Sequence, residues 1–273
     1  MRKIFLLTLG FLSCFHLQSQ SKLKIDKSHY KITYLLSYKP DSTDAQLILK
    51  ENMFLFIGKD KSKFISEGFY ARDSVAKNMK EDLGANIDVG SIFKSIPKSK
   101  FKDVIYKNYP IDKISVSDAF GGNYYLYEED KDLFNWKIHP QYNVINGYNC
   151  QKATTEFSGR QFIAWFAKEI PINDGPYKFN GLPGLILSVY DIENNYNFKL
   201  DSIEKIDFDM LFDKKNYIKT TKLKLFEYKR KFYENFVESA AQNGLTLELD
   251  PVQKRALNEK LSKRNNNSIE IVF

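Results

Sequence analysis

Apolar and polar residues alternate with the two-residue period of a strand along most of the chain, and three stretches change to the period of a helix. His29 to Tyr38 is β-rich and stops at Pro40-Asp41-Ser42-Thr43-Asp44. Strand character resumes from Gln46 to Ile57, and Gly58-Lys59-Asp60 makes a turn before Ser62 to Ser66. Phe101 to Lys107, Lys113 to Ser117 and Asn123 to Tyr127 are further strands, the last two joined by Phe120-Gly121-Gly122-Asn123. Leu133 to His139 leads into the best-defined region. There Asn146-Gly147 and Ser158-Gly159 each separate two β-runs, as two-residue hairpin turns require.

Two tight turns set a register. Phe157 then faces Arg160, Thr155 faces Phe162, Ala153 faces Ala164 and Gln151 faces Phe166 on one surface. Glu156 meets Gln161, Thr154 meets Ile163, Lys152 meets Trp165 and Cys150 meets Ala167 on the other. Both surfaces carry apolar groups, so one is expected to pack on helices and the other to line a concavity or a second layer. The loop from Pro171 to Gly184 holds three prolines and three glycines, which predicts a shaped segment. Leu185 to Asp191 and Tyr196 to Ile203 form another hairpin around Glu193-Asn194-Asn195.

The helical stretches are Gly68 to Leu83, residues 222–243 and residues 251–263. In the second, Leu225, Phe232, Phe236 and Ala240 share a stripe, and Asn243-Gly244 supplies a stop. Asp250-Pro251 gives the third an N-cap with proline at the first helical position. Ser268 to Phe273 is expected to end the chain as a strand anchored in the sheet. The pattern predicts an α+β, β-dominated fold. It is a curved antiparallel meander, a half-barrel or bowl, with packed helices that include those near 222–243 and 251–263.

The N-terminus changes the compartment. Arg2 and Lys3 precede an apolar core from Ile4 to Leu12 and a polar exit, the pattern of a secretory signal over residues 1–20. Its apolar run is too short for a permanent span, so residues 21–273 are expected to be one exported domain, periplasmic or extracellular and at most membrane-peripheral. A lipoprotein attached through Cys14 is the less favoured alternative. Loss of the signal leaves Cys150 alone, which excludes an internal disulfide and reads best as a small buried hydrophobe.

Lys and Arg number 41 against 34 Asp and Glu, but they are interleaved, and no basic tract or nucleic-acid motif is present. Aromatic residues reach 15%, which favours strands and a packed core. No nucleophile elbow, P-loop, dinucleotide fingerprint or paired zinc-histidine motif occurs, so no catalytic residue, metal site or cofactor is assigned. Glu156, Glu169, Asp174 and Asp191 are the carboxylates a glycosidase would have to pair across a cleft. Arg160 shares its surface with Phe162 and Phe166. It can clamp a carboxylate or phosphate, or pair with Asp174 or Asp191 to hold the 171–184 loop. Lys152 over Trp165 is a candidate cation–π pair. Arg160, Trp165, Lys152, Phe162 and Phe166 are therefore the candidate ligand or structural site.

Gly181-Leu182-Pro183-Gly184-Leu185-Ile186 names a resemblance. Together with Ile145 to Ala153, Gly159-Arg160, Ala164-Trp165, Ile170-Pro171, Gly175-Pro176 and Phe179, it resembles the GLPGLI family of secreted Bacteroidetes proteins. The chain is also similar, more weakly, to the bowl-like N-terminal domain of a secreted peptide:N-glycosidase. The first resemblance implies export and an uncharacterised role. The second implies a curved sheet without importing catalysis. The expected function is a non-enzymatic envelope protein that binds an apolar ligand or an envelope partner in its concavity. The alternatives are an envelope glycan or peptidoglycan hydrolase and a structural accessory of an outer-membrane transporter.

Overall fold

The computed structural model describes residues 22–81, 94–242, 244–263 and 266–271. The expected signal and Cys14 lie outside the described residues.

Among the described residues, twelve strands form one sheet. They are β1 (Lys22–Tyr38), β2 (Leu49–Ile57), β3 (Ser62–Ser66), β4 (Val104–Lys107), β5 (Lys113–Phe120), β6 (Asn123–Asp130), β7 (Lys137–Ile145), β8 (Tyr148–Phe157), β9 (Arg160–Ala167), β10 (Leu185–Asp191), β11 (Tyr196–Asp213) and β12 (Tyr217–Lys219). The helices are α1 (Glu67–Glu81), α2 (Lys222–Glu234), α3 (Phe236–Gln242) and α4 (Pro251–Lys263). The order is β12-β6-β5-β4-β3-β2-β1-β11-β10-β9-β8-β7. Two antiparallel meanders thus meet where β1 pairs with β11, and β12 joins β6 in parallel.

This order forces curvature. Ten strand spacings separate β6 from β7, roughly 48 Å if the sheet were flat. Residues 131–136 make the connection, and fully extended they reach about 24 Å. The sheet must curl until its two ends approach, and it forms an open, curved, β-dominated bowl, as expected, with these four helices among the described residues.

Side-chain alternation gives the bowl two cores. Ile32, Tyr34, Leu55, Phe64, Ile105, Phe162 and Phe166 belong to a large cluster drawn from both halves of the sheet, which only the concave side can assemble. Phe54, Phe56, Ile65, Val104, Tyr106 and Met210 form a second cluster on the convex side, covered by Phe69 and Tyr70 of α1. Hence β3 is buried at all five positions. On the concave side Phe232 of α2 packs on Phe120, ring centres 5.8 Å apart, and Leu225 joins the cluster.

The loop between β9 and β10 fills the bowl. Tyr177, Phe179 and Leu182 are buried there. Phe179 lies 4.9 Å from Phe162 and 5.0 Å from Phe134, between ring centres. The β6–β7 link adds Trp136, whose indole N–H donates to the Asn180 carbonyl at 2.8 Å. The shaped loop is therefore core, and it occupies the place expected for an apolar ligand.

The β8–β9 register agrees at every pair with the turn-derived one. Asn146 and Gly147 take φ of +50° and +83°, and Ser158 and Gly159 +46° and +80°. Elsewhere the structure differs. The outer halves of β1 and β11 pair well beyond the apolar pattern, supported by Lys24–Asp209 at 2.6 Å and Lys27–Asp207 at 2.7 Å across the ladder. The helix expected over 222–243 breaks at Asn235 (φ −123°, ψ +46°), whose side-chain amide donates to the Lys231 carbonyl at 3.2 Å. Ser268–Ile271, the described part of the expected last strand, is not a strand. Side chains of the sheet and the Ser158 carbonyl satisfy its backbone instead.

Candidate functional site

The expected site residues separate onto two surfaces. Arg160 is buried at the start of β9. Its Nη1 lies 3.3 Å from Asp191 Oδ2, its Nη2 donates to Asn267 Oδ1 at 2.6 Å and to the Ser268 carbonyl at 2.7 Å, and its Nε reaches that carbonyl at 3.2 Å. The guanidinium also sits over the Tyr196 ring. Arg160 therefore pairs with Asp191, not Asp174, and holds the C-terminal tail rather than the 171–184 loop. Phe162 and Phe166 are core side chains at 1% and 0% exposure. Lys152 and Trp165 pair across β8 and β9 on the opposite surface, both half-buried. Among the described residues, the cations seated over aromatic rings do not include Lys152 on Trp165.

Nor do the four carboxylates converge. Asp191 also accepts the Tyr196 N–H at 2.6 Å, Asp174 is bound to Lys107, Glu169 accepts the Asn149 N–H at 2.9 Å, and Glu156 is exposed. Cys150 is a free, fully buried thiol, and burial pushes it up to about 11. Among the described residues, no group of three or more His, Cys, Asp or Glu is placed to hold a metal ion.

Three polar constellations were not foreseen. The first is a buried ionic core. Lys178 of the loop is fully buried between Glu129 of β6 and Glu270 of the tail, with Glu270 Oε1 at 2.6 Å and the Tyr127 hydroxyl at 3.1 Å. Lys222 of α2 spans the same two carboxylates at 2.6 and 3.0 Å, and the Tyr177 hydroxyl donates to Glu270. Burial alone would raise the Glu270 carboxyl, but Lys178 and Lys222 outweigh it and hold it below its ordinary range. Loop, sheet, helix and tail are locked together by groups at positions 129, 178, 222 and 270.

The second is a carboxylate pair. Asp103, before β4, shares a hydrogen bond with Asp118 of β5, and Lys229 of α2 binds Asp118 and lies 3.9 Å from Asp103. Burial first, and then repulsion by Asp118, push the Asp103 carboxyl up to about 7 against the pull of Lys229 and Lys178. An unfolded aspartate titrates near 3.9. Between roughly pH 4 and pH 7 the folded protein therefore keeps a proton that the unfolded chain has released, so stability falls as pH rises through that window. Asp103→Asn removes this term. Urea titrations across that window should show the stability of the variant gaining on the wild type as pH rises. Parallel pH profiles would refute the assignment.

The third is a cleft of about 560 Å³ at the rim. The β2–β3 turn supplies Lys59, Asp60 and Lys61, the β6–β7 link Lys131, and the loop Asp174, with Lys107 of β4 at the floor. Lys107 is buried, and its ammonium is used by Asp174, the Gly175 carbonyl at 2.6 Å and the Phe179 carbonyl at 3.1 Å. Burial lowers its pKa, partly offset by Asp174. The turn is fixed because Asp26 accepts the N–H groups of Asp60 and Lys61, each at 3.0 Å. No local pattern distinguishes these lysines from ordinary turn lysines, so only the curl of the sheet reveals the cleft.

A model of a family described as "Protein of unknown function (Porph_ging)" matches residues 155–188. That span runs from β8 through the Gly181–Ile186 motif into β10, and the model does not carry the GLPGLI name expected from the motif. No curated protein matches the chain. Among solved structures, one of PNGF-II in space group P21 is 19% identical, covering 75% of this chain and 33% of that chain with a TM-score of 0.50. A second, in space group C2, is 18% identical over 75% and 32%, with a TM-score of 0.48. The chain spans about a third of the length of these structures. At this identity the first likeness is one of fold: the bowl is similar to part of PNGF-II, and its β8–β10 segment to a family of unknown function.

Proposed function

We propose that the protein is an exported, non-enzymatic binding protein of the cell envelope that works at its rim. The observation that carries this reading is the filling of the concave face by Tyr177, Phe179 and Leu182. An apolar ligand in the concavity would have to displace the chain's own core. Among the described residues no helix is long and apolar enough to cross a membrane, and the carboxylates a glycosidase would need are each engaged elsewhere, apart from the exposed Glu156. The rim cleft remains open and polar, and its volume is that of a small-molecule site.

Fractionation of the native cells followed by native mass spectrometry tests the proposal. The expected species is exported, shortened by about the first twenty residues, and carries a small molecule or a protein partner. A cytoplasmic species with an intact N-terminus, or release of sugars from envelope glycans by the purified protein, would overturn it.

A further inference from the structure

We propose that the rim cleft binds a small ligand through an oxyanion, a phosphate or a carboxylate; this rests on the binding reading and names its site and chemistry. The argument is one of charge left over. Lys107 and Asp174 neutralise each other at the floor, and carbonyl oxygens take the other N–H groups of Lys107. What remains along the lining are Lys59, Lys61 and Lys131 against one carboxylate, Asp60, while the Asp26 carboxylate behind the turn is taken up by backbone N–H groups. None of these three lysines has an ion-pair partner within 4 Å among the described residues. This contrasts with β1, where Lys22, Lys24, Lys27 and Lys31 all pair with Asp or Glu. His29 also lines the cleft.

The frame that carries these cations is preorganised. Besides the two bonds to Asp26, the Gly58 N–H donates to the Lys61 carbonyl at 2.9 Å and the Asn108 amide to the Asp60 carbonyl at 2.8 Å. A Cβ on Gly58 would lie 2.6 Å from Asp26 Cγ, so the turn is packed tightly onto its carboxylate anchor. The backbone of Lys131 is held by the Asp112 carbonyl at 3.0 Å. Ligand binding then orders only the lysine side chains, which limits its entropic cost. Apart from Tyr30, Ile57, Gly58, Pro171 and Ile172 the lining is polar, so recognition is electrostatic and depends on salt.

Calorimetric titration at low salt with inorganic phosphate, glucuronate and neutral glucose tests the site. Phosphate or glucuronate should bind and glucose should not; which anion binds more tightly separates the two sources of charge. Raising the salt should weaken binding. Lys61→Gln/Lys131→Gln should weaken it at least about tenfold with unchanged melting, since both side chains lie outside the core. Lys152→Gln, on the convex side of the sheet, should bind as the wild type does. Anion binding untouched by the double variant, glucose binding as well as the anions, or no anion binding would overturn the site. A ligand retained in native mass spectrometry but indifferent to the double variant would leave the binding reading standing and remove only this site.

Discussion

Lys178→Met is expected to cost about 3–5 kcal/mol of folding stability, because it removes one partner of a buried ionic group and leaves the rest uncompensated. The ammonium is fully buried and serves Glu129 and Glu270 together, with Tyr127 as a third partner. After substitution Lys222 alone faces two carboxylates, one of them at 0% exposure. Glu270 then loses the cation that does most to hold it ionised, and its pKa rises. The deficit should shrink as pH falls through the carboxylate range, since protonated Glu270 needs no cation. Lys178→Met/Glu270→Gln restores the charge balance and should be more stable than the sum of the two single variants by at least about 1 kcal/mol. Urea unfolding of the four proteins in this cycle, at pH 7 and pH 4.5, checks each statement. A single-variant cost under about 1 kcal/mol, or strict additivity, would show that the cluster is hydrated and carries little.

The contrast between Lys178 and its neighbour Phe179 shows where legibility in the sequence ends. An aromatic residue in a proline- and glycine-rich loop is easily assigned to a core, and Phe162 and Phe166 follow from a register set by one two-residue turn. These are local facts. A lysine in the same loop carries no local mark of burial, because its partners stand at 127, 129 and 270 and meet only after the sheet has curled. The cleft is hidden for the same reason: Lys59 and Lys131 belong to different connections until β6 and β7 are brought to adjoining ends of the bowl. The outer arm of β1 and β11 extends beyond the expected strands, where cross-strand charge pairs and the ladder support it.

The tail fails in the opposite direction. Ser268 to Phe273 reads as a strand, yet Arg160 takes the Ser268 carbonyl, the Tyr196 hydroxyl donates to the Asn267 carbonyl at 2.7 Å, and the Ile271 N–H donates to the Ser158 carbonyl at 3.0 Å. Once two side chains and the Ser158 carbonyl of the hairpin turn supply these partners the backbone has no need of a neighbouring strand. Arg160, foreseen as a clamp, is a clamp for the chain's own carbonyl.

Gly184→Ala should be nearly as damaging as the loss of Lys178, and it tests why the Gly-Leu-Pro-Gly bend has its composition. Gly184 has φ of +153°, a conformation that costs an L-residue about 1–3 kcal/mol. Its added Cβ would also overlap the Ala167 carbonyl oxygen, lie 2.7 Å from that carbonyl carbon and 2.9 Å from Lys168 Cα. All three are backbone atoms at the end of β9, where Ala167 is paired with Leu185, so they cannot step aside without opening the β9–β10 ladder. Overpacking of this kind adds about 1–3 kcal/mol, for a total of about 2–6 kcal/mol. Gly147 separates the two causes: it has φ of +83°, but its added Cβ would meet nothing within 4 Å. Gly147→Ala should cost only the conformational part, about 1–2 kcal/mol. Gly181, at φ of +90° with Trp136 at 4.0 Å from an added Cβ, should behave like Gly147 although it belongs to the motif. Urea midpoints for the three alanine variants should therefore fall in two groups, with Gly184→Ala alone in the lower. Equal losses at all three sites would mean that the motif is kept for its backbone angles and that close packing of β10 on β9 adds nothing.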